Sequence, residues 1–325
     1  NYHGMSVLST MASDLDNQFV GMSPRANYWL FRTESSEIEN LIEEYYWIVA
    51  AEFCDSVGVD IINSSLAYTT FDLVYQNHSY ADLDGFTTPI SKAATFAARK
   101  GMIVCNSAGN AGNGSWYYIS APADADSIIT VGSINQNSEV SNFSSKGPTY
   151  DGRLKPTVSA QGENTTIYNP NNTISTSSGT SFSSPIIAGM TACLWQANYQ
   201  KSAQEIIAAI VASSHLVDNP NFNIGNGIPN FSVANAILKV DDVDTPLLEV
   251  YPNPVINNSF TYLFVNPSSS SLKVYDLLGR LMYQRALEDG IGIYNLSFPH
   301  LKRGTYLLAI ESENAVLTKK IVVAD

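Results

Sequence analysis

The chain has 325 residues, enough to bury a sizeable core and to form more than one domain. Lys and Arg total 17 against 30 Asp and Glu, a net charge of −13, which argues against nucleic-acid recognition through a basic surface. Hydrophobic residues at 45% rule out a mostly disordered chain, and no apolar run reaches the ~18 residues of a membrane span.

Only 14% of residues are charged. Polarity comes instead from Asn, Ser, Thr, Tyr and Gln, a surface style that fits an extracellular protein. Cys54, Cys105 and Cys193 are odd in number, far apart and set among apolar neighbours, so they read as buried reduced thiols rather than a disulfide scaffold. The chain starts at Asn1, without Met, and is read as lacking an N-terminal piece.

From residue 1 to 240, helix and strand patterns alternate. Residues 38–56 mix apolar and acidic positions at helical spacing, and Gly58 can end that helix. Residues 59–66 follow as a strand. Thr88-Pro89 opens a second helix whose inner face is Ile90, Ala93, Ala94 and Ala97, with Gly101 closing it. Residues 102–105 predict a short buried strand running into Asn106-Ser107-Ala108-Gly109-Asn110, and 127–131 another. This alternation implies a parallel sheet covered on both faces. Residues 179–196 are apolar all round, which predicts a central buried helix. Ser202 and Glu205 form a capping box ahead of an amphipathic, peripheral helix.

The pattern changes near 240. Asp241-Asp242-Val243-Asp244-Thr245-Pro246 reads as a linker between a domain over 1–240 and another over 247–325. Beyond it the helical period disappears. β-type runs at 259–265, 272–277, 281–286, 292–298, 305–311 and 315–323 imply a small antiparallel sandwich.

Three segments carry chemistry. In Gly179-Thr180-Ser181-Phe182-Ser183-Ser184-Pro185, a Ser stands where a buried helix begins, and the helix N-terminus offers N–H groups and positive potential to a developing oxyanion. An ordinary N-cap Ser reads the same way. In Ser107-Ala108-Gly109-Asn110-Ala111-Gly112, an amide after a buried strand can donate to that oxyanion, although a turn Asn beside Gly is also common. In Tyr2-His3-Gly4-Met5-Ser6-Val7, a neutral imidazole could take the Ser proton. The other three histidines are His78 in a polar loop, His215 after the peripheral helix and His300 in the β region.

Taken together, the order His, Asn, Ser resembles the subtilisin-like serine peptidases. Gly179-Thr180-Ser181-x-x-x-Pro185-x-x-x-Gly189, His3-Gly4-x-x-Val7 and Ala108-Gly109-Asn110-x-Gly112 match the boxes of that family. Gly21-Met22-Ser23-Pro24-Arg25-Ala26, Phe143-Ser144-Ser145-x-Gly147-Pro148 and Lys155-Pro156 add to the likeness, which covers roughly 1–235. The resemblance implies a three-layer α/β/α fold with a mostly parallel sheet, Ser181 as nucleophile and His3 as general base. It also implies that Asn110, with the Ser181 N–H, forms an oxyanion hole. Ser65, Leu66 and Ala67 would pair with extended substrate, and Ser107, Ala108 and Gly109 would form the other side of the primary pocket. The chemistry requires no cofactor; structural calcium is possible but unplaced, and Asp82-Leu83-Asp84-Gly85 only hints at it.

Three departures stand out. The family carries a catalytic Asp before the His, whereas only Asn1 and Tyr2 precede His3. The first core strand is expected to be missing with that Asp. In subtilisin itself, loss of the Asp alone lowers kcat by about 3 × 10⁴, so residues 1–325 taken alone are expected to be a poor peptidase. Ala67 stands where the family has Gly. Thr157 and Gln161 stand where its pattern is K-P-D-V-x-A-P-G.

Tyr251-Pro252-Asn253-Pro254, Asp276-Leu277-Leu278-Gly279-Arg280, Gly304-Thr305-Tyr306 and the terminal Lys319-Lys320-Ile321-Val322-Val323 together resemble the C-terminal sorting domain of type IX secretion in Bacteroidota. That resemblance implies export by the type IX machinery, to the medium or to the outer-membrane surface of a Gram-negative bacterium. The expected function is a secreted serine endopeptidase acting on protein or peptide substrates. The alternatives are a non-catalytic surface protein that holds peptide on a degenerate scaffold of the same kind, and an esterase using the same site.

Overall fold

The computed structural model describes residues 2–240, 247–256, 259–266, 270–287, 290–297, 301–312 and 316–324. The expected linker 241–246 and His300 lie outside the described residues. The chain divides into two compact units, Asn1–Ala234 and Asn235–Asp325.

The first unit begins with α1 (His3–Ala12), followed by the short hairpin β1 (Asp14–Leu15) and β2 (Phe19–Val20). Then come α2 (Ile42–Val57), β3 (Ile61–Ser64), α3 (Pro89–Arg99), β4 (Ile103–Ser107), β5 (Ile129–Ile134) and β6 (Val158–Gln161). The hairpin β7 (Thr165–Tyr168) and β8 (Ile174–Ser177) precedes α4 (Thr180–Ala197) and α5 (Ala203–Ala212), and α6 (Phe231–Val240) spans the division between the two units. Strands β3, β4, β5 and β6 form one sheet in that order, all parallel.

The helices sit where their apolar stripes require. Trp47, Ala51 and Cys54 of α2 and Ile90, Ala94, Ala97 and Ala98 of α3 share one buried cluster with Val104 of β4. Each large aliphatic in it contributes ~1.5–3 kcal/mol by leaving water. On the other face α4 crosses all four strands and packs against α1. This is the expected α/β/α sandwich. The ends follow local chemistry. Gly58 ends α2 in the left-handed region at φ 74°, Thr88 caps α3 by accepting from the Ser91 N–H, and Ser202 and Glu205 cap α5 reciprocally.

Several expectations change. α4 is buried from Thr180 to Gly189 except at half-buried Ile186, but exposes part of its second half; Cys193 there is exposed, not buried. His78 is not a solvated loop residue. Its Nε2 meets the fully buried Glu44 Oε1 at 2.5 Å, while Glu44 Oε2 accepts the Ile90 N–H at the start of α3. A buried carboxylate needs such partners, which fixes the loop after β3 against α2 and α3.

The second unit holds β9 (Leu247–Ile256), β10 (Ser259–Asn266), β11 (Ser270–Asp276), β12 (Leu281–Leu287), β13 (Gly290–Ser297), β14 (Gly304–Ser312) and β15 (Val316–Val323). Their order is β12-β11-β14-β15-β9-β10-β13, and every neighbour is antiparallel except β15 and β9, which run parallel at Val323 and Val255. In place of the expected all-antiparallel sandwich the described strands form one mixed seven-stranded sheet, in which the first and last strands, β9 and β15, are neighbours. Leu272 and Val274 of β11, Leu308 and Ile310 of β14 and Ile321 and Val323 of β15 alternate inward around Tyr262. The Asp276–Arg280 turn is locked by the Asp276 carboxylate, which accepts from the N–H groups of Leu278 and Arg280 and pairs with the Arg280 guanidinium at 2.7 Å; Leu277 and Leu278 project from it 76% and 80% exposed.

Strand β9 was not legible, because Pro252 and Pro254 cannot donate to a ladder. Asn253 supplies one donor in their place, its Nδ2 donating to Lys320 O at 2.9 Å, and its Oδ1 also accepts the Val322 N–H at 3.0 Å. Asn253→Ala removes both bonds and is expected to lower the second unit's unfolding midpoint by several degrees, in line with the loss of about 1–2 kcal/mol, while Asn253→Gln gives partial recovery. Thermal denaturation of the three forms checks this.

In the first unit, Lys155 is buried, with Nζ donating to Thr130 Oγ1 at 2.9 Å and lying 3.4 Å from Ile128 O. Thr157 reaches the same Ile128 carbonyl at 3.2 Å, so no carboxylate stands at that position. Burial brings the Lys155 amine down to about 7 from 10.5. Between those values the unfolded chain binds more protons at this residue than the folded one, so its linkage makes stability rise with pH. Lys155→Met is expected to flatten the rise in melting temperature between pH 7 and 9, measured by calorimetry across that range.

Candidate active site

The site is built around the first turn of α4. Gly179 enters it at φ 154°, ψ 151°, a conformation essentially reserved for glycine, which lets the chain turn sharply from Ser178 into the helix. Ser181 follows in the first turn, largely buried at 9% exposure. Helix geometry leaves its N–H without an intrahelical acceptor.

Asn110 stands across from this turn at the end of β4. Its Oδ1 accepts the Thr180 N–H at 2.9 Å and the Thr180 hydroxyl at 3.0 Å. Oxygen and nitrogen of the amide are thereby assigned, since only the oxygen can accept twice. The Nδ2 group is left as the donor, on an exposed residue beside the start of α4. The Thr180 hydroxyl also accepts the Gly109 N–H at 3.2 Å. Gly109 lies at φ 106°, and a Cβ there would stand 2.9 Å from Ser145 Oγ.

His3 is the first residue of α1, and its ring stands edge-on to Phe182, 6.1 Å between centroids. Phe182 follows Ser181, so His3 and the start of α4 share one neighbourhood. Val7, Ile167 and Phe182 form a small core beneath, and the Tyr168 N–H donates to Ser9 Oγ at 2.9 Å. The β7–β8 hairpin thus holds α1 against α4. The imidazole keeps an exposed edge, yet partial desolvation lowers its pKa below 6.5. A neutral ring at neutral pH is the form that can accept a proton.

The expected substrate strand is half-exposed at Ser65 and Leu66 and exposed at Ala67, an open edge. Leu66 O lies 3.4 Å from both Asn106 Nδ2 and Ser107 Oγ, so the structure brings the two expected pocket segments together. Their openness differs. Ser107, Ala108 and Gly109 are buried. The Ala108 N–H goes to Val131 O and its carbonyl to the Ser120 N–H, while Gly109 O receives the Ser145 N–H. These two residues act as a wall whose backbone groups are already taken.

Sequence reading missed Thr180 as the group that orients Asn110, and Asn63 and Ser184, which join Ser65 to α4. The available signal was the i, i+2 spacing of Asn63 and Ser65, which places both side chains on one face of a strand.

The carboxylates of Asp82 and Asp84 each close their own turn. Asp82 accepts from the Ser79 N–H and hydroxyl, Asp84 from the Phe86 and Thr87 N–H groups. Among the described residues, Glu34, Glu39 and Glu43 bring carboxylate oxygens within 4.8 Å of one another. Glu34 accepts from Tyr68 OH at 2.5 Å, and Glu43 from the Ser35 and Asn40 N–H groups. Burial first, then the neighbouring carboxylates, raises Glu39 above its ordinary value.

Residues 1–227 match the model of the subtilase family, and residues 249–324 match that of a secretion system C-terminal sorting domain. Serine protease AprX of Bacillus subtilis (strain 168) is 30% identical over 235 residues, 63% of this chain and 51% of the relative. Subtilisin DY of Bacillus licheniformis is 28% identical over 72% of this chain and 77% of its own length. The chain thus spans about half the length of the first of these relatives. Among solved structures, the self-cleaved protease domain of PatA superposes with a TM-score of 0.59 at 22% identity, over 73% of this chain and 83% of that one. MycP1 from Mycobacterium smegmatis gives 0.57 at 22% identity, over 72% and 70%. A helix opening on Gly179-Thr180-Ser181 at the edge of a parallel sheet, together with these matches, places the chain in the subtilase family, with a secretion sorting domain at its C-terminus.

Proposed function

We propose that the protein is a secreted serine endopeptidase in which Ser181 attacks the peptide carbonyl. His3 takes the Ser181 proton as general base and returns it to the leaving amine. The carbonyl oxygen becomes an anion held by Asn110 Nδ2 and the Ser181 N–H. Water then hydrolyses the acyl-enzyme. The single observation that carries this reading is the double acceptance at Asn110 Oδ1, which docks the Asn110 amide on the first turn of α4 and leaves Nδ2, beside Gly179, as its donor end.

The triad's carboxylate belongs, in this reading, ahead of His3 in chain order, on a strand that pairs with the outer edge of β3. Among the described residues that edge has no partner strand, and Ile61, Ile62 and Asn63 are half-exposed along it. Residues 1–325 taken alone would then retain the nucleophile and the oxyanion donors but not that carboxylate.

In the full gene product, Ser181→Ala is expected to lower kcat on a peptide ester or amide by on the order of 10⁴ or more, and Asn110→Ala by about 10²–10³ with KM little changed. The acid limb of kcat/KM should fall at a pH below the ordinary 6.5 of histidine, as the lowered His3 value requires. Steady-state kinetics across pH test all three. Retained turnover in Ser181→Ala would remove the nucleophile assignment. Peptide binding without turnover, in a full-length protein with no upstream Asp, would favour the peptide-holding alternative.

The sorting domain at 249–324 supports export by the type IX route, with the outer surface or the medium as destination. No described helix is long and apolar enough to cross a membrane. Deleting residues 247–325 is expected to strand the peptidase in the periplasm, seen by fractionating cells that carry either form; equal secretion of both would refute the role.

A further inference from the structure

Pro185 lies inside α4, four residues after Ser181. A helical carbonyl normally accepts the N–H four residues on, and Pro185 has none. The Ser181 carbonyl therefore lacks its i+4 donor at the residue read above as the nucleophile. The Ser65 hydroxyl fills that place, donating to Ser181 O at 2.9 Å. Ser65 Oγ in turn accepts from Asn63 Nδ2 at 3.3 Å. Asn63 Oδ1 accepts the Ser184 hydroxyl at 2.8 Å, which returns the chain of bonds to α4.

Every donor and acceptor in this ring has one consistent direction. The Ser65 proton goes to the carbonyl, the Asn63 amide donates with its nitrogen and accepts with its oxygen, and the Ser184 proton goes to Asn63. The ring joins two segments far apart in sequence. Ser65 begins the half-exposed strand that would pair with substrate, and Ser181 and Ser184 lie in the first turns of α4. Substrate register and nucleophile position would otherwise be set by separate elements, and their spacing is the quantity that acylation depends on.

We propose that Asn63, Ser65 and Ser184 are positioning residues that fix the distance between the substrate-pairing strand and the Ser181 nucleophile. The proposal rests on the reading of Ser181 given above. None of the three supplies a proton to the reaction. They act through the backbone that carries the reacting group.

The test is steady-state kinetics of the full gene product on one peptide amide. Ser65→Ala is expected to lower kcat by about 10-fold while KM stays within about twofold, because misplacement costs rate more than ground-state binding. Ser184→Ala, acting through Asn63, should give a smaller loss of the same kind, and Ser65→Thr, which keeps the hydroxyl, should restore kcat. Pro185→Ala in the Ser65→Ala background separates two roles. It gives the Ser181 carbonyl an amide partner but does not rebuild the tie to β3, so kcat should remain low. Recovery of kcat in that double variant would reduce Ser65 to a helix donor and overturn the positioning role. So would an unchanged kcat, or a loss confined to KM, in Ser65→Ala. Turnover surviving Ser181→Ala would instead overturn the nucleophile assignment.

Discussion

A helix that starts inside a protein must find partners for its first amides, and α4 starts against the centre of the α/β unit. Its N-terminal groups cannot turn to water, so neighbouring elements supply the bonds. Gly162 O takes the Gly179 N–H, Asn110 takes that of Thr180, and Ser65 answers the Ser181 carbonyl that Pro185 leaves without its usual donor. Each of these partners comes from a different strand or strand end. Satisfying one helix terminus therefore brings together the amide, hydroxyl and strand from which a site can be made.

The same constraint explains which groups remain available. Asn110 spends its oxygen on Thr180 and keeps its nitrogen as a donor. Ala108 and Gly109 spend their backbone on Val131, Ser120, Thr180 and Ser145, so they build a wall rather than an open pairing edge. Just past β3, Ser65 and Leu66 are half-exposed and Ala67 is exposed. Openness is thus concentrated on one side of the cleft, a difference that follows from hydrogen-bond accounting rather than from residue type.

Much of the fold was legible because its signals are local. Thr88-Pro89, Gly58 and the Ser202–Glu205 box mark helix ends through bonds within a turn. The boxes around His3, Asn110 and Ser181 were legible for a different reason: each keeps its residues together in sequence. The missed features depend on distant partners. His78 lies in a polar stretch, and only the fold brings Glu44 to it. β9 looks unfit for a sheet until the Asn253 amide is seen bonding to Lys320 O and Val322 N–H of β15. Cys193 sits in an apolar run, yet the fold leaves it exposed on the second half of α4.

Proline plays the same part in both units. Pro185 removes a donor from the helix that carries Ser181, and Pro252 and Pro254 remove two from the first strand of the sorting unit. In each case a side chain close by, Ser65 or Asn253, makes up the deficit and ties together segments that are remote in sequence. Part of an interior proline's cost is its lost hydrogen bond, and that part falls when another group answers it. Where a side chain answers it, the proline is matched by a specific long-range link: Ser65 ties Ser181 to the end of β3, and Asn253 ties β9 to β15.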